Sequence, residues 1–198
     1  MNQPTKQVVV ISGPTGSGES TVTKEIISRH PNFVRLVTAT SRPKRLKEEH
    51  GVDYYFFTEE EFKNEIEKGD IIEYQTNRSA NAYYGTYKPD LDKKLAAGNI
   101  IIANTDIIGT RFYKKSYNAT TIFIAPESLE EIKTRLLSRE PDMDPEKLEA
   151  RMAYAKRELE EESPFYDYQV VNRQNKLSDT VAEVEDILKK EGVLDKAE

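Results

Sequence analysis

A glycine-rich stretch near the start of the chain constrains its fold more than any other feature, and it reads Gly13-Pro14-Thr15-Gly16-Ser17-Gly18-Glu19-Ser20. The apolar run over residues 8–11 predicts a buried strand before it, and Val22 and Ile26 after it are spaced as on an amphipathic helix. In a turn between a strand and a helix, backbone N–H groups can surround a phosphate, and the helix dipole adds to the attraction. The stretch therefore predicts a phosphate-binding loop that holds a nucleotide.

One residue of this loop departs from the usual pattern. A lysine that reaches the terminal phosphates normally precedes the serine that faces Mg²⁺, whereas this chain has Glu19 before Ser20. One pair of unit charges about 4 Å apart is worth ~4 kcal/mol at an effective dielectric constant near 20, so exchanging attraction for repulsion would cost roughly a thousandfold in rate. A Glu19 side chain turned toward solvent or toward Mg²⁺ would reduce that penalty.

Beyond the loop, apolar strands alternate with helical patterns. Strands are predicted over residues 99–104, 121–124 and 168–171, and helices over residues 128–139, 145–162 and 178–190. This alternation predicts an α/β fold, in which helices cover both faces of a parallel sheet.

The region between residues 37 and 90 breaks that alternation. A short strand is predicted over residues 34–40, and an aromatic run follows at residues 54–57. A helix is predicted over residues 59–68, with Thr58 and Glu61 spaced as a capping box at its start. Short aromatic strands in this region indicate an inserted antiparallel lobe.

Composition restricts the class of protein. A chain of 198 residues with a formal net charge of −6 is long enough for one core, and its acidity argues against a large nucleic-acid interface. There is no apolar run of the ~20 residues that span a membrane, and no signal-peptide pattern at the start. The absence of cysteine excludes disulfides and thiolate metal sites. We therefore expect a cytoplasmic protein with neither a nucleic-acid nor a membrane partner.

Further blocks of residues follow the loop in a fixed order. They are Ser41-Arg42 with Arg45, Glu48, Gly51 and Asp53-Tyr54; Glu73 with Tyr83-Tyr84-Gly85-Thr86; Asp106 with Gly109; Arg135, Arg139, Arg151 and Glu158; and Val170-Val171-Asn172. Together with the loop, from Val8 to about Leu188, they resemble the guanylate kinases, a family of P-loop nucleoside monophosphate kinases. The resemblance implies a P-loop NTPase-like parallel sheet flanked by helices, with an inserted NMP-binding lobe and a helical lid.

The resemblance also implies a GMP site. Two arginines three residues apart can clamp one phosphate, and two tyrosine hydroxyls can add hydrogen bonds to it. Glu73 can accept hydrogen bonds from N1 and from the exocyclic N2 of guanine, which adenine does not offer. The implied GMP-binding residues are Thr38, Arg42, Arg45, Tyr54, Glu73, Tyr84, Thr86 and Asp106.

An ATP site is implied beside it. Its implied residues are Gly13, Thr15, Gly16, Ser17, Gly18, Ser20, Thr21 and Asn172, with Ser20 as the Mg²⁺ ligand. The implied catalytic residues are Arg42, the three arginines of the lid, Arg135, Arg139 and Arg151, and Glu19 at the position of the usual lysine. Closure of the lid over ATP would exclude water and so prevent hydrolysis.

The expected organisation is a single guanylate-kinase-like domain. Its core comprises residues 1–36, 91–127 and 159–198, its NMP-binding lobe residues 37–90, and its lid residues 128–158. The expected substrates are ATP and GMP, the expected cofactor is Mg²⁺, and the chain is expected to be a monomer or a homodimer.

The chain also departs from the family outside its phosphate loop. Asn104 stands where the family usually has an aspartate, and the segment between Glu73 and Tyr84 is longer by about two residues. Two functions therefore stay open: an ATP:GMP phosphotransferase whose turnover Glu19 weakens, and a non-catalytic module that binds nucleotide or a protein partner. The retained glycines and arginines favour the enzyme.

Overall fold

The computed structural model of the chain describes residues 6–77 and 81–194. Its strands are β1 (Val8–Ser12), β2 (Phe33–Arg35), β3 (Ala39–Thr40), β4 (Tyr55–Phe56), β5 (Ile71–Asn77), β6 (Ala82–Tyr87), β7 (Ile100–Ala103), β8 (Thr120–Pro126) and β9 (Tyr168–Asn172). Its α-helices are α1 (Glu19–Arg29), α2 (Glu59–Lys68), α3 (Lys88–Ala96), α4 (Ile107–Tyr117), α5 (Leu129–Arg139), α6 (Pro145–Arg157) and α7 (Leu177–Lys190). A π-helical turn (Glu158–Glu162) and a 3₁₀ turn (Ser163–Phe165) follow α6.

The central sheet has five parallel strands in the order β2-β7-β1-β8-β9. Alternate side chains of β1 enter two different cores, because successive residues of a strand point to opposite faces. Val9 and Ile11 pack with α1 and α7, whereas Val8 and Val10 pack on the other face with residues of α3 and α4. The prediction of a parallel sheet covered by helices on both faces is confirmed.

A second, four-stranded sheet has the order β4-β3-β6-β5, and all its strands lie within the predicted inserted lobe. The pairs β3–β6 and β5–β6 are antiparallel, and β3–β4 is parallel. The Thr58–Glu61 capping box at the start of α2 is confirmed. The boundaries given above for the core, the lobe and the lid remain predictions.

The single strand predicted over residues 34–40 is wrong, because two strands of different sheets occupy this region. The backbone N–H of Leu36 donates to the carbonyl of Ile102, which continues the pairing of β2 with β7. The next N–H, that of Val37, donates instead to the carboxylate of Asp90 at 3.3 Å. This side-chain acceptor ends the first ladder, and the chain then enters the second sheet as β3.

Helices α5 and α6 lie within the predicted lid. They pack on each other through a small apolar cluster that includes Ile132, Leu136, Met143 and Ala155. Among the residues described, no helix combines the length and the apolar character needed to cross a bilayer.

Candidate active site

The phosphate-binding loop connects the buried strand β1 to helix α1. Gly18 has a φ of 93°, a left-handed conformation that glycine adopts without strain, and a Cβ there would collide with the amide Nδ2 of Asn172. At Gly13 an added Cβ would collide with the backbone carbonyl of Ile124. The two glycines therefore let the loop pass close to β8 and β9 and turn sharply into α1.

Two polar side chains support the loop from outside. One guanidinium nitrogen of Arg135 donates to the carbonyls of Gly16 (3.0 Å) and Ser17 (2.9 Å), and the other donates to the carboxylate of Glu131. The amide Nδ2 of Asn172 also donates to the Ser17 carbonyl, at 2.7 Å. The carbonyls of the loop are therefore satisfied by the protein, which leaves its donors for a ligand.

The donors of the loop are free to bind a phosphate. In residues 6–77 and 81–194, the backbone N–H groups of Gly16, Gly18, Glu19 and Ser20 make no hydrogen bond to the protein. The hydroxyl of Ser17 is buried and has no protein partner in the same residues. Backbone N–H groups gathered at the start of a helix are a common arrangement for binding phosphate, so this loop is suited to an anionic ligand.

A cavity of about 720 Å³ opens beside these donors. Of the residues predicted to bind ATP or to catalyse the reaction, those that line it are Thr15, Gly16, Ser17, Gly18, Glu19, Ser20, Thr21, Arg135, Arg139 and Asn172. Gly13 lines the adjoining cavity instead. The structure thus brings the whole predicted ATP set together around the loop.

The three arginines of the predicted lid occupy different positions. Arg135 donates to the loop carbonyls, so its guanidinium supports the backbone of the loop in this conformation, and its side chain also lines the cavity beside the loop. Arg139 and Arg151 line a smaller cavity next to Thr15, where Arg151 lies 3.6 Å from the carboxylate of Glu140. Contact of the three arginines with nucleotide remains a prediction.

A second cavity of about 600 Å³, named the base cavity, lies between the two sheets and is lined by most of the predicted GMP set. Its predicted members are Thr38, Tyr54, Glu73, Tyr84, Thr86 and Asp106. Arg42 and Arg45 do not line it. The segment between Glu73 and Tyr84, which is longer than the family pattern by about two residues, includes residues 78–80. These residues lie outside the described part of the chain.

Two acidic side chains, those of Glu73 and Asp106, line this second cavity. The hydroxyl of Thr86 donates to Glu73 at 3.3 Å and contacts the phenol oxygen of Tyr113 at 2.5 Å. Burial, together with the charge of Asp106, raises the pKa of Glu73 to about 7. Asp106 is held in place because it accepts the N–H groups of Ile108 and Gly109 at the start of α4.

An internal carboxylate pairs with one arginine of the predicted clamp. Glu48 accepts two hydrogen bonds from the guanidinium of Arg42, at 2.8 and 3.0 Å, and a third from the backbone N–H of Arg45 at 2.8 Å. The Arg42 guanidinium also lies 5.6 Å from the centre of the Tyr54 ring, and the Tyr84 ring is 5.9 Å from that ring. Arg42 therefore lies with the two tyrosines at the edge of the base cavity, and Glu48 fixes the orientation of its guanidinium.

A third cavity of about 610 Å³ joins the other two. Its lining includes Glu19 and Ser20 from the loop, Tyr54 and Asp106 from the base side, and Glu158 from the end of α6. Burial raises the pKa of Glu19, while a hydrogen bond from Ser20 (2.8 Å) and the charge of Arg35 oppose that rise. Asn104 also lines this cavity, and its amide nitrogen donates hydrogen bonds to the Ile11 carbonyl and to the Thr23 hydroxyl.

The oxygen atoms that line this third cavity fit Mg²⁺. This ion prefers hydroxyl, carboxylate and phosphate oxygens as ligands and usually takes only one or two carboxylates from a protein. Ser20 and Glu19 supply a hydroxyl and a carboxylate oxygen side by side. In the described part of the chain, no three acidic or histidine side chains are grouped closely enough to hold a metal by themselves. A cation here would therefore share its coordination with the phosphates of a nucleotide.

Sequence reasoning missed two residues of the site and one pairing of side chains. Gln75 lines the base cavity and donates its amide to Asp106. It lies two residues after Glu73 on a strand, so the period of two could have identified it. Tyr113 comes from α4, a helix that was not predicted, and the pairing of Glu48 with Arg42 joins side chains across an irregular loop.

Known proteins resemble this chain in sequence and in fold. A sequence model of the family described as guanylate kinase matches residues 5–191. The chain is 37% identical to a guanylate kinase of Bacteroides thetaiotaomicron over 174 residues, which cover 87% of this chain and 84% of the relative. It is 40% identical to that of Thermosynechococcus vestitus over 167 residues, covering 84% and 85% of the two chains. The crystal structure of guanylate kinase from Anaplasma phagocytophilum superimposes with a TM-score of 0.73 at 27% identity, covering 97% of this chain and 89% of the other.

Proposed function

The chain belongs to the guanylate kinase family, and from this membership we propose that it transfers the terminal phosphoryl group of ATP to GMP, giving ADP and GDP. The observation that carries the proposal is the continuity of the three cavities. The joining cavity shares Tyr54 and Asp106 with the base cavity, and Glu19 and Ser20 with the loop cavity. Two nucleotides bound in the outer cavities would direct their phosphates toward each other.

Recognition of guanine is assigned to the base cavity. The ionised carboxylate of Glu73 accepts hydrogen bonds from N1–H and from the exocyclic amine of guanine, two donors that adenine lacks on that edge. With adenine the carboxylate would stay buried without a partner, and an unsatisfied site of this kind discriminates by several orders of magnitude. GMP, and not AMP, is therefore the proposed acceptor.

The transfer step needs positioning more than it needs a base. An oxygen of the GMP phosphate attacks the terminal phosphorus of ATP, and the bond from that phosphorus to its bridging oxygen breaks to release ADP. The free N–H groups of the loop hold the phosphates of ATP, and Arg42, Tyr54 and Tyr84 hold that of GMP. Because the acceptor oxygen is already ionised, the chain requires no general base.

Positive charge must also come from the lid and from a cation. Guanylate kinases generally use Mg²⁺ with ATP, and Ser20 is the residue proposed to hold it here. When bound, the cation neutralises charge on the phosphates. Arg139 and Arg151 lie beside Thr15 at the edge of the loop, so a modest movement of α5 and α6 would bring them to the same phosphates and exclude water.

A coupled assay for ADP release tests the proposal, with ATP and either GMP or AMP as acceptor. We expect turnover with GMP and none with AMP. The variant Glu73→Gln, which removes the paired acceptor, should lose most of the activity with GMP, whereas Glu67→Gln on the exposed face of α2 should not.

The outcome that would refute the proposal involves Glu19. If the chain and its Glu19→Lys variant both bind GMP and neither releases ADP, the phosphotransferase is excluded and the non-catalytic module remains. No observation on the described residues or in the comparisons favours that module at present.

A further inference from the structure

The cavity that joins the two nucleotide sites is short of positive charge. Among the described residues, the carboxyl groups of Glu19 and Asp106 and the buried carboxyl of Glu158, which adds charge only when it is ionised, line it against two basic side chains, Lys24 and Arg35. Two nucleotides would add several more negative charges at the same place. Some further cation is therefore needed there, since like charges in a partly dehydrated site repel strongly.

The geometry of two oxygens indicates where such a cation would bind. The Ser20 hydroxyl oxygen lies 2.8 Å from Glu19 Oε1. Adjacent ligand oxygens on an octahedral Mg²⁺ lie about 3 Å apart, because each is about 2.1 Å from the ion at a right angle. The hydroxyl and the carboxylate are thus already spaced as two neighbouring ligands.

A buried carboxyl that also lines the cavity gives independent support. Glu158 is only 7% exposed, and its Oε2 has no hydrogen-bond partner within the described residues. With its proton on the other oxygen, Oε2 of this carboxyl is still an acceptor, and an unpaired buried acceptor is costly, so a donor is expected opposite it. Mg²⁺ retains several of its water molecules in proteins, and each bound water is a donor of this kind.

We propose that Glu19 is a direct ligand of the divalent cation that accompanies the nucleotide, beside Ser20. The bound metal ion would thereby supply the positive charge that a lysine of the loop would otherwise provide. The inference rests on the proposed function, because the remaining ligands are phosphate oxygens. It makes nucleotide binding by this chain depend on the metal through Glu19.

Two affinities test the inference in the full chain. The first is the affinity of the protein–ADP complex for Mn²⁺, measured from the electron paramagnetic resonance of the free ion. The second is the affinity for ADP in excess EDTA, measured by calorimetry. The variants are Glu19→Gln, Ser20→Ala, and the control Glu25→Gln, whose side chain lies on the same helix and is bonded to Arg29.

The expected changes have opposite signs. Glu19→Gln should weaken Mn²⁺ binding by at least ~10-fold, since even neighbours of metal ligands cost that much when they are removed. The same variant should strengthen ADP binding in EDTA, because a carboxylate that repels phosphate is gone. Ser20→Ala should weaken Mn²⁺ binding alone, and Glu25→Gln should change neither affinity.

The inference is overturned if Glu19→Gln strengthens ADP binding in EDTA and does not weaken the binding of Mn²⁺, because Glu19 would then only repel. It is also overturned if Ser20→Ala leaves the affinity for Mn²⁺ unchanged. Failure of the chain and of every variant to bind ADP under both conditions would instead refute the proposed function, and the inference with it.

Discussion

The buried carboxyl of Glu158 makes a specific prediction about stability and pH. Burial, and then the negative charges of Glu162, Asp106 and Glu19, raise its pKa to about 8, while Arg157 opposes the rise. In the unfolded chain the pKa is near the ordinary value of 4.5. Between these two values the folded protein holds a proton that the unfolded chain releases, so the free energy of unfolding falls as the pH rises.

The size of the effect follows from the two pKa values. Each pKa unit between the folded and the unfolded state corresponds to ~1.4 kcal/mol, which sets an upper limit of about 5 kcal/mol for Glu158. Because Glu158 lines a cavity that water can enter, we expect ~1–3 kcal/mol. Glu158→Gln removes the titrating proton and keeps the shape of the side chain. The variant should therefore be more stable than the parent by that amount at pH ~8.5 and nearly equal to it at pH ~5.

Urea unfolding at the two pH values measures this difference directly. Thermal unfolding gives a second measure, since 1 kcal/mol changes the melting temperature of a chain of this size by about 2–4 °C. Glu161→Gln is the matched control, because Glu161 is exposed in the same π-helical turn and should change stability little at either pH. Equal effects of Glu158→Gln at both pH values, or a loss of stability at the higher one, would refute the assigned cause.

Three further predictions concern the ligand sites. The pKa of Glu73 is about 7 in the free protein, and guanine needs an ionised acceptor, so the affinity for GMP should rise with pH through that value. Calorimetric titration with GMP should show this pH dependence for the chain and not for its Glu73→Gln variant. Gly18→Ala should cost ~1–3 kcal/mol of stability, from its left-handed backbone and its collision with Asn172, and should abolish ADP binding measured by calorimetry; unchanged binding would exclude this part of the loop as a phosphate site. Glu19→Lys should raise kcat/KM for ATP more at limiting Mg²⁺ than at saturating Mg²⁺ in the coupled assay, and an equal rise at both concentrations would contradict a cation bound through Glu19.

Much of the fold could be predicted from local patterns. The apolar run of β1, the glycines after it and the periodicity of α1 together specify a phosphate loop, because each is set by residues a few positions apart. The Thr58–Glu61 capping box is equally local. Helices α3 and α4 were not predicted, and the second of these is rich in β-branched and aromatic residues, whose helix propensity is low. Its start depends on a side-chain cap from Asp106 and its packing on the sheet.

The sequence alone determined which chemical groups the site contains. The spacing of its glycines, arginines and carboxylates points to a nucleotide and to guanine. Only the tertiary structure decided how those groups are used. It engages Arg135 with the carbonyls of the loop, pairs Arg42 with Glu48, and brings Gln75 against Asp106. Such pairings depend on which charges the packed elements bring within hydrogen-bond distance. The spacing of residues along the sequence does not fix that distance, because the chain between them folds through two separate sheets.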